Sequence, residues 1–222
     1  LFFTEVLRID RNFTAAYRER ARAFQKLKKF REALGDYNTA ISIDPNSLDT
    51  LLSRGLLFCQ DSKFENAIDD FTRAIQLKPY SADAHYNRAL ALQKLDKFEL
   101  SILDYTQSIK LNPDHYQAYN NRGLAYRDIK LFDRAIEDFD KSIALKPDLA
   151  DAFWNKALTH LIIGDYKNAW RYYEYRWKSP NFTSSPRDFA QPLWLGRENL
   201  KGKTILLHSE QGLGDSLQFC RY

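Results

Sequence analysis

A regular spacing of prolines is the feature that most constrains the fold of this chain. The sequence carries four prolines at intervals of 34 residues, each two positions after an aliphatic residue: Pro45, Pro79, Pro113 and Pro147. A fixed period of this length is typical of architectures in which each unit buries its apolar face only against its neighbours. The period predicts six segments: the second helix of a truncated repeat at 1–13, four full repeats at 14–47, 48–81, 82–115 and 116–149, and a degenerate fifth at 150–183.

Each repeat is predicted to contain two helices. In the fourth repeat, apolar or small residues recur every three or four positions in both halves: Tyr119, Gly123 and Tyr126, then Ala135, Phe139 and Ser142. This spacing places them on one face of a helix. The proline then ends the second helix, because the residue before a proline is pushed out of the helical region. A small residue of the first helix is expected to face an aromatic residue of the second.

These positions resemble the tetratricopeptide repeat, whose pattern of large, small, aromatic, Ala, Phe and Pro the fourth repeat matches most closely. The resemblance covers residues 1 to about 180 and departs mildly from the pattern at His85 and Ser101. It implies an all-α superhelical solenoid of helix-turn-helix repeats. It also implies that the first helices line a concave face, which in this family holds protein or peptide partners.

Two rows of polar residues are predicted to lie on that face. The sixth position of successive repeats holds Asn87, Asn121 and Asn155, and the second position holds Asp49, Asp83, Gln117 and Asp151. An amide offers both a donor and an acceptor, so a row of amides suits the backbone of an extended peptide. The aspartates could select hydroxyl or basic side chains. In the alternative interpretation the asparagines bond to a neighbouring repeat and the aspartates are N-terminal charges of their helices.

The combination resembles the superhelical repeats that precede the catalytic domain of protein O-linked N-acetylglucosamine transferases, where an asparagine ladder holds substrate peptide. It resembles the carboxylate-clamp co-chaperones less. A further row at the seventh position has one cation per repeat: Arg20, Arg54, Arg88, Arg122 and Lys156. Each is expected to form an ion pair with a nearby acid, and an exposed pair of this kind stabilises little.

The pattern changes after Trp177. Residues 184–222 are predicted to be a linker followed by a strand, a turn and a helix. The Ser- and Pro-rich stretch after Trp177 is typical of a linker, and an aliphatic run at 204–208 precedes Gly212, Gly214 and Asp215. Residues 190–222 resemble the start of a glycosyltransferase-family-9-like (GT-B) domain, as found after repeats in bacterial proteins. The resemblance implies that Asp215 is a general base in a longer parent, with the two glycines admitting substrate; otherwise Asp215 caps a helix.

Two functions from different classes follow. The first is a scaffold that binds a protein or an extended peptide. The second is the substrate-selecting arm of a glycosyltransferase, in which a sugar nucleotide would bind only to the full-length parent. The chain begins with Leu and ends early in the α/β domain, so we expect a piece of a longer protein that binds without catalysis.

Composition argues against several other classes. No apolar run approaches the roughly 18 residues of a membrane helix. The 33 basic and 29 acidic residues form no dense basic stripe, so nucleic acid is not expected as the partner. The four histidines lack metal-ligand spacing, and neither a metal nor a cofactor is expected. Cys59 and Cys220 are predicted to be reduced thiols of a cytoplasmic protein.

Overall fold

The computed structural model describes residues 2–183, 199, 201 and 202, and these residues form a helical solenoid. The described residues contain eleven α-helices and one 3-10 helix, and none of them lies in a strand. The helices are α1 Phe2–Ile9, α2 Thr14–Lys26, α3 Phe30–Ile43, α4 Leu48–Gln60, α5 Phe64–Leu77, α6 Ala82–Lys94, α7 Phe98–Leu111, α8 Tyr116–Asp128, α9 Phe132–Leu145, α10 Ala150–Ile162, α11 Tyr166–Tyr173 and the 3-10 helix Glu174–Lys178. The predicted all-α solenoid is confirmed for this part of the chain. The predicted strand at 204–208 lies outside the described residues.

The packing order of the helices determines which face is concave. Each first helix packs against the second helix of its own repeat, and each second helix packs against the first helix of the next repeat. Consecutive first helices, such as α4 and α6, also contact each other, whereas in the described part of the chain consecutive second helices do not. The first helices are therefore closer together, and they form the inner side of the curve.

The turn inside each repeat has a constant geometry. The second residue after the first helix adopts a left-handed conformation in every repeat, with φ between 55° and 79°: Lys28, Ser62, Asp96, Lys130 and Gly164. The backbone amide of the next residue donates to a carbonyl in the last turn of the helix, as in the hydrogen bond from Lys63 N to Phe58 O at 2.8 Å. This arrangement satisfies a terminal carbonyl and turns the chain towards the second helix. Only the fifth repeat uses glycine at this position.

The contact between small and aromatic residues is present as predicted. Phe71 and Phe139 are completely buried, and each ring lies against a glycine of the first helix. A Cβ atom added to Gly55 would lie 2.5 Å from Phe71 Cε1, and one added to Gly123 would lie 2.7 Å from Phe139 Cε1. The two helices therefore approach more closely than a methyl group allows. This approach fixes the first helix and hence the inner face.

Candidate peptide-binding face

Ion pairs anchor the first helices to the second helices. Arg122 donates from Nε to Asp138 Oδ2 and from Nη2 to Oδ1, both at 2.7 Å, and from Nη1 to Thr106 Oγ1 at 2.9 Å. It therefore connects three helices. The same two-pronged contact joins Arg20 to Asp36, Arg54 to Asp70 and Arg88 to Asp104. The predicted ion pairs thus exist, and their carboxylates are buried between helices rather than exposed at an edge.

The fifth repeat departs from this arrangement. Tyr172 takes the place of the aspartate, and Lys156 donates instead to Asp140 of the preceding repeat at 2.6 Å. The Lys156 ammonium also lies 4.7 Å from the centroid of the Tyr172 ring, within the range of a cation–π contact. The cation of the last repeat is therefore held by one exposed carboxylate and an aromatic face.

A groove runs along the inner face of the first three repeats. It has a volume of about 360 Å³. It is lined by Arg22, Asp49, Leu52, Ser53, Leu56, Asp83, Tyr86, Asn87 and His115. All of these belong to first helices or, for His115, to the residue before α8. Three of the residues predicted to contact a peptide, Asp49, Asp83 and Asn87, meet in this groove.

The three asparagines of the predicted ladder differ in their contacts. In the described part of the chain the side chain of Asn87 has no hydrogen-bond partner, and it faces the groove. Asn121 donates to Tyr86 Oη at 3.0 Å and accepts from Asn120 at 3.2 Å. Asn155 donates to Asn120 Oδ1 at 3.1 Å. Asn121 and Asn155 therefore connect neighbouring repeats, which was the alternative role, while the amide of Asn87 is available to a ligand.

The residues of the acidic row also differ. Asp49 is exposed and pairs with Arg18 across the repeat boundary at 3.2 Å. Asp83 and Gln117 are exposed, and among the described residues neither side chain forms a hydrogen bond or ion pair. Asp151 accepts hydrogen bonds from two side chains of the segment that follows the 3-10 helix. Asp49 and Asp83 therefore face the groove, whereas Asp151 is already occupied.

Residues 179–182, which we call the covering segment, bind Asp151 through two side chains. The Ser179 hydroxyl donates to Asp151 Oδ1, and the Asn181 amide donates to Oδ2 at 3.1 Å. The Phe182 ring meets Trp154 edge to face, with centroids 5.5 Å apart and planes at 85°. The covering segment therefore lies on the first helix of the fifth repeat, where the sequence had placed part of the peptide site.

Several groove residues were not predicted as ligand contacts, and Tyr86 and His115 are two of them. Tyr86 occupies the fifth position of its repeat, one helical turn after Asp83, and this spacing could have placed it on the same face. The His115 ring packs against Tyr86 with centroids 4.5 Å apart. Burial lowers the pKa of His115, and the charge of Asp83 opposes that effect only in part. His115 is therefore neutral at pH 7, and the charge of this end of the groove comes from Asp83.

Several expectations concern other parts of the chain. Gly212, Gly214 and Asp215 lie outside the described residues. None of the described helices has the length and apolarity to cross a bilayer, and no metal-binding group of three His, Cys, Asp or Glu occurs among the described residues. Cys59 has a free thiol, and burial raises its pKa to about 11.

Comparison with known families decides what the repeats are. Models described as TPR repeat or tetratricopeptide repeat match residues 14–47, 55–96 and 86–150. This chain contains tetratricopeptide repeats. The matched models all lie between residues 14 and 150, so they do not extend to the segment that resembles a glycosyltransferase. No curated protein matches the sequence.

Several solved structures share the fold. A crystal structure of MamA has 26% sequence identity and a TM-score of 0.66, covering 70% of this chain and 91% of MamA. YrrB, described as a TPR protein with an unusual peptide-binding site, has 20% identity and a TM-score of 0.65, covering 78% of this chain and 89% of its own. PilF of Pseudomonas aeruginosa has 20% identity and a TM-score of 0.66, covering 73% of this chain and 74% of its own.

Proposed function

We propose that this TPR array is a scaffold that binds an extended segment of a protein partner along its inner face. The observation that carries the proposal is the groove formed by α2, α4 and α6. Its apolar residues, Leu52 and Tyr86, adjoin the exposed carboxylates of Asp49 and Asp83 and the free amide of Asn87. A surface that combines apolar contact area with a few directed polar groups is suited to ligand recognition.

The proposed role of Asn87 is to pair with the backbone of the bound segment. Its amide can donate to a peptide carbonyl and accept from a peptide N–H at the same time. The amides of Asn121 and Asn155 retain one donor hydrogen each, so they can contribute more weakly. Gln117 extends the acidic row towards the fourth repeat, and Asp151 would join it only where the covering segment moves away. The ladder is therefore strongest at the third repeat.

The fold similarity supports this proposal in general terms. YrrB is described as a TPR protein with an unusual peptide-binding site, so a solenoid of this kind can hold a peptide. The similarity is one of fold and carries no residue of that site to this chain.

The second function, the substrate-selecting arm of a glycosyltransferase, rests on residues 190–222 alone. In this proposal Gly212 and Gly214 admit a substrate and Asp215 acts as a general base in the longer parent. Sequence from the same gene that lacks a second α/β half with a nucleotide-binding loop would exclude it. Sugar transfer by residues 1–222 would contradict the expectation that this chain only binds.

The direct test of the scaffold proposal uses peptides selected from a displayed random dodecamer library on the full chain. Asn87→Ala should weaken the selected peptides about tenfold, because a hydrogen-bonding amide is lost inside the groove. Asn66→Ala is the matched control, since Asn66 is exposed on α5, a second helix. Equal affinities for the two variants would exclude the groove as the binding site.

A further inference from the structure

One pair of residue types recurs at the same place in three of the five repeats. An aspartate at the second position is followed one turn later by a large apolar residue at the fifth position. The pairs are Asp49 with Leu52, Asp83 with Tyr86, and Asp151 with Trp154. Residues three apart on a helix lie side by side, so each pair presents a carboxylate beside an apolar surface. The first and fourth repeats lack the pair, because they carry Ala15 with Arg18 and Gln117 with Asn120.

The pair of the fifth repeat shows what chemistry such a pair can hold. Its carboxylate accepts from the hydroxyl of Ser179 and from the amide of Asn181. Its indole packs edge to face on the ring of Phe182. Two neutral donors of the covering segment, two residues apart, therefore bind Asp151, and the aromatic ring of the next residue packs on Trp154.

The other two pairs lie next to each other in the groove, and within the described part of the chain no segment like the covering segment lies across them. Asp49 and Leu52 line one half of it, and Asp83 and Tyr86 line the other half. Because Arg18 already pairs with Asp49, the first of these carboxylates is partly neutralised. Arg22 lines the same groove. Both arginines also pair with Glu19, so the preference for neutral donors rests on the covering segment, whose hydroxyl and amide are the groups that Asp151 accepts.

We propose that the groove recognises an extended segment that resembles the covering segment, with Ser, Thr or Asn side chains donating to Asp49 and Asp83 and an aromatic or large aliphatic side chain packing on Tyr86 and Leu52. This inference rests on the proposed scaffold function and names the chemistry of its partner. The two acceptors belong to adjacent first helices, whose axes lie about 10 Å apart in packed helices. An extended chain advances about 3.3 Å per residue, so the two donors should be about three residues apart.

The test uses a displayed library of random dodecamers, selected on the full chain and then measured against variants of it. Enriched peptides should carry Ser, Thr or Asn about three residues apart with a neighbouring aromatic or aliphatic residue. The double variant D49N/D83N should weaken them at least about tenfold, since two charge-assisted hydrogen bonds become neutral. The matched control is D69N/D133N, which changes the net charge equally at two exposed positions of second helices.

The outcomes separate this inference from the scaffold function. Peptides that lose affinity with N87A but not with D49N/D83N would retain the groove and overturn the proposed chemistry. Enriched Lys- or Arg-rich peptides that depend on Asp49 and Asp83 would also overturn it, because neutral donors are then not what the carboxylates select. If none of the selected peptides depended on the groove, both proposals would be overturned. A thermal melt of each variant confirms that a loss of affinity is not a loss of folding.

Discussion

The third and fifth repeats present the same acidic position in two different states. In the third repeat Asp83 is exposed beside Tyr86 and the groove in front of it is open to a ligand. In the fifth repeat Asp151 is bonded to the covering segment, and Trp154 packs on Phe182. The comparison shows that a repeat supplies a site and that a neighbouring part of the chain determines whether the site is available.

The two ends of the array also differ in how their helices are held. Four repeats share a buried two-pronged Arg–Asp contact, whereas the fifth relies on Lys156 with the exposed Asp140 and the ring of Tyr172. A two-pronged pair fixes the direction of both groups, and a lysine ammonium fixes only a distance. The cation of the fifth repeat is therefore held with less directional constraint, and the covering segment adds contacts that the ion pair does not.

The largest expected effect comes from breaking one buried pair. Asp138→Ala should lower the free energy of unfolding by about 3 kcal/mol, because it leaves the Arg122 guanidinium without its carboxylate between two helices. Asp140→Ala, in the same helix, should cost less, about 1–2 kcal/mol, because Asp140 is 53% exposed and the buried Lys156 ammonium keeps its contact with the Tyr172 ring. Urea denaturation followed by circular dichroism measures both. Similar losses for the two variants would contradict the distinction between the repeats.

A smaller effect is expected from filling the space between the two helices of the fourth repeat. The fifth repeat has Ala157 at the position of Gly123, so its helices already accommodate a methyl group there. Gly123→Ala should destabilise the fold by about 2 kcal/mol, because the new methyl group collides with the fully buried Phe139 ring. The matched control is Gly35→Ala, where the added Cβ meets no atom of another helix within 4 Å. That change should stabilise α3 by up to about 1 kcal/mol. An unchanged free energy of unfolding after Gly123→Ala would show that the Phe139 ring can move aside.

The covering segment should depend on Asp151. Asp151→Ala should increase amide hydrogen exchange of residues 179–182, with a loss of local protection of about 1–2 kcal/mol, because two side-chain donors lose their acceptor. Asp83→Ala should leave exchange in this segment unchanged. Unaltered exchange after Asp151→Ala would mean that the aromatic contacts of Phe182 hold the segment by themselves.

The smallest expected effect is an acid sensitivity confined to the last helix. Asp165 caps α11 by accepting from Asn168, and these hydrogen bonds lower the pKa of Asp165. Its contribution is therefore present above the ordinary aspartate pKa of about 4 and is lost as the pH falls through the lower folded value. The second helices of the first four repeats have no side-chain cap.

The measurement is the set of backbone amide NMR signals of α11 (Tyr166–Tyr173) during acid titration. A transition at a pH below about 4 is expected for the native chain, since α11 then loses its cap. Asp165→Asn should remove that transition, because asparagine can cap a helix without titrating. An identical transition in this variant would assign the acid response to another group.

The sequence predicted the parts of the fold that lie within one repeat. The 34-residue period, the helix pairs and the contact between a small and an aromatic residue all repeat along the chain. The contact of Gly123 with Phe139 joins two positions of the same repeat, so the periodic pattern is enough to predict it. The buried Arg–Asp pairs also lie within one repeat, but only the arginine row was recognised. The aspartate sixteen residues later was not assigned as its partner.

Tertiary structure decided what the repeated polar residues do. Asn87, Asn121 and Asn155 occupy one position in the period, yet only Asn87 faces the groove without a partner in the described part of the chain. The difference arises because each first helix meets the side chains of the preceding repeat, and those side chains vary. In the same way the availability of Asp151 depends on the path of the chain after Lys178, which no periodicity specifies.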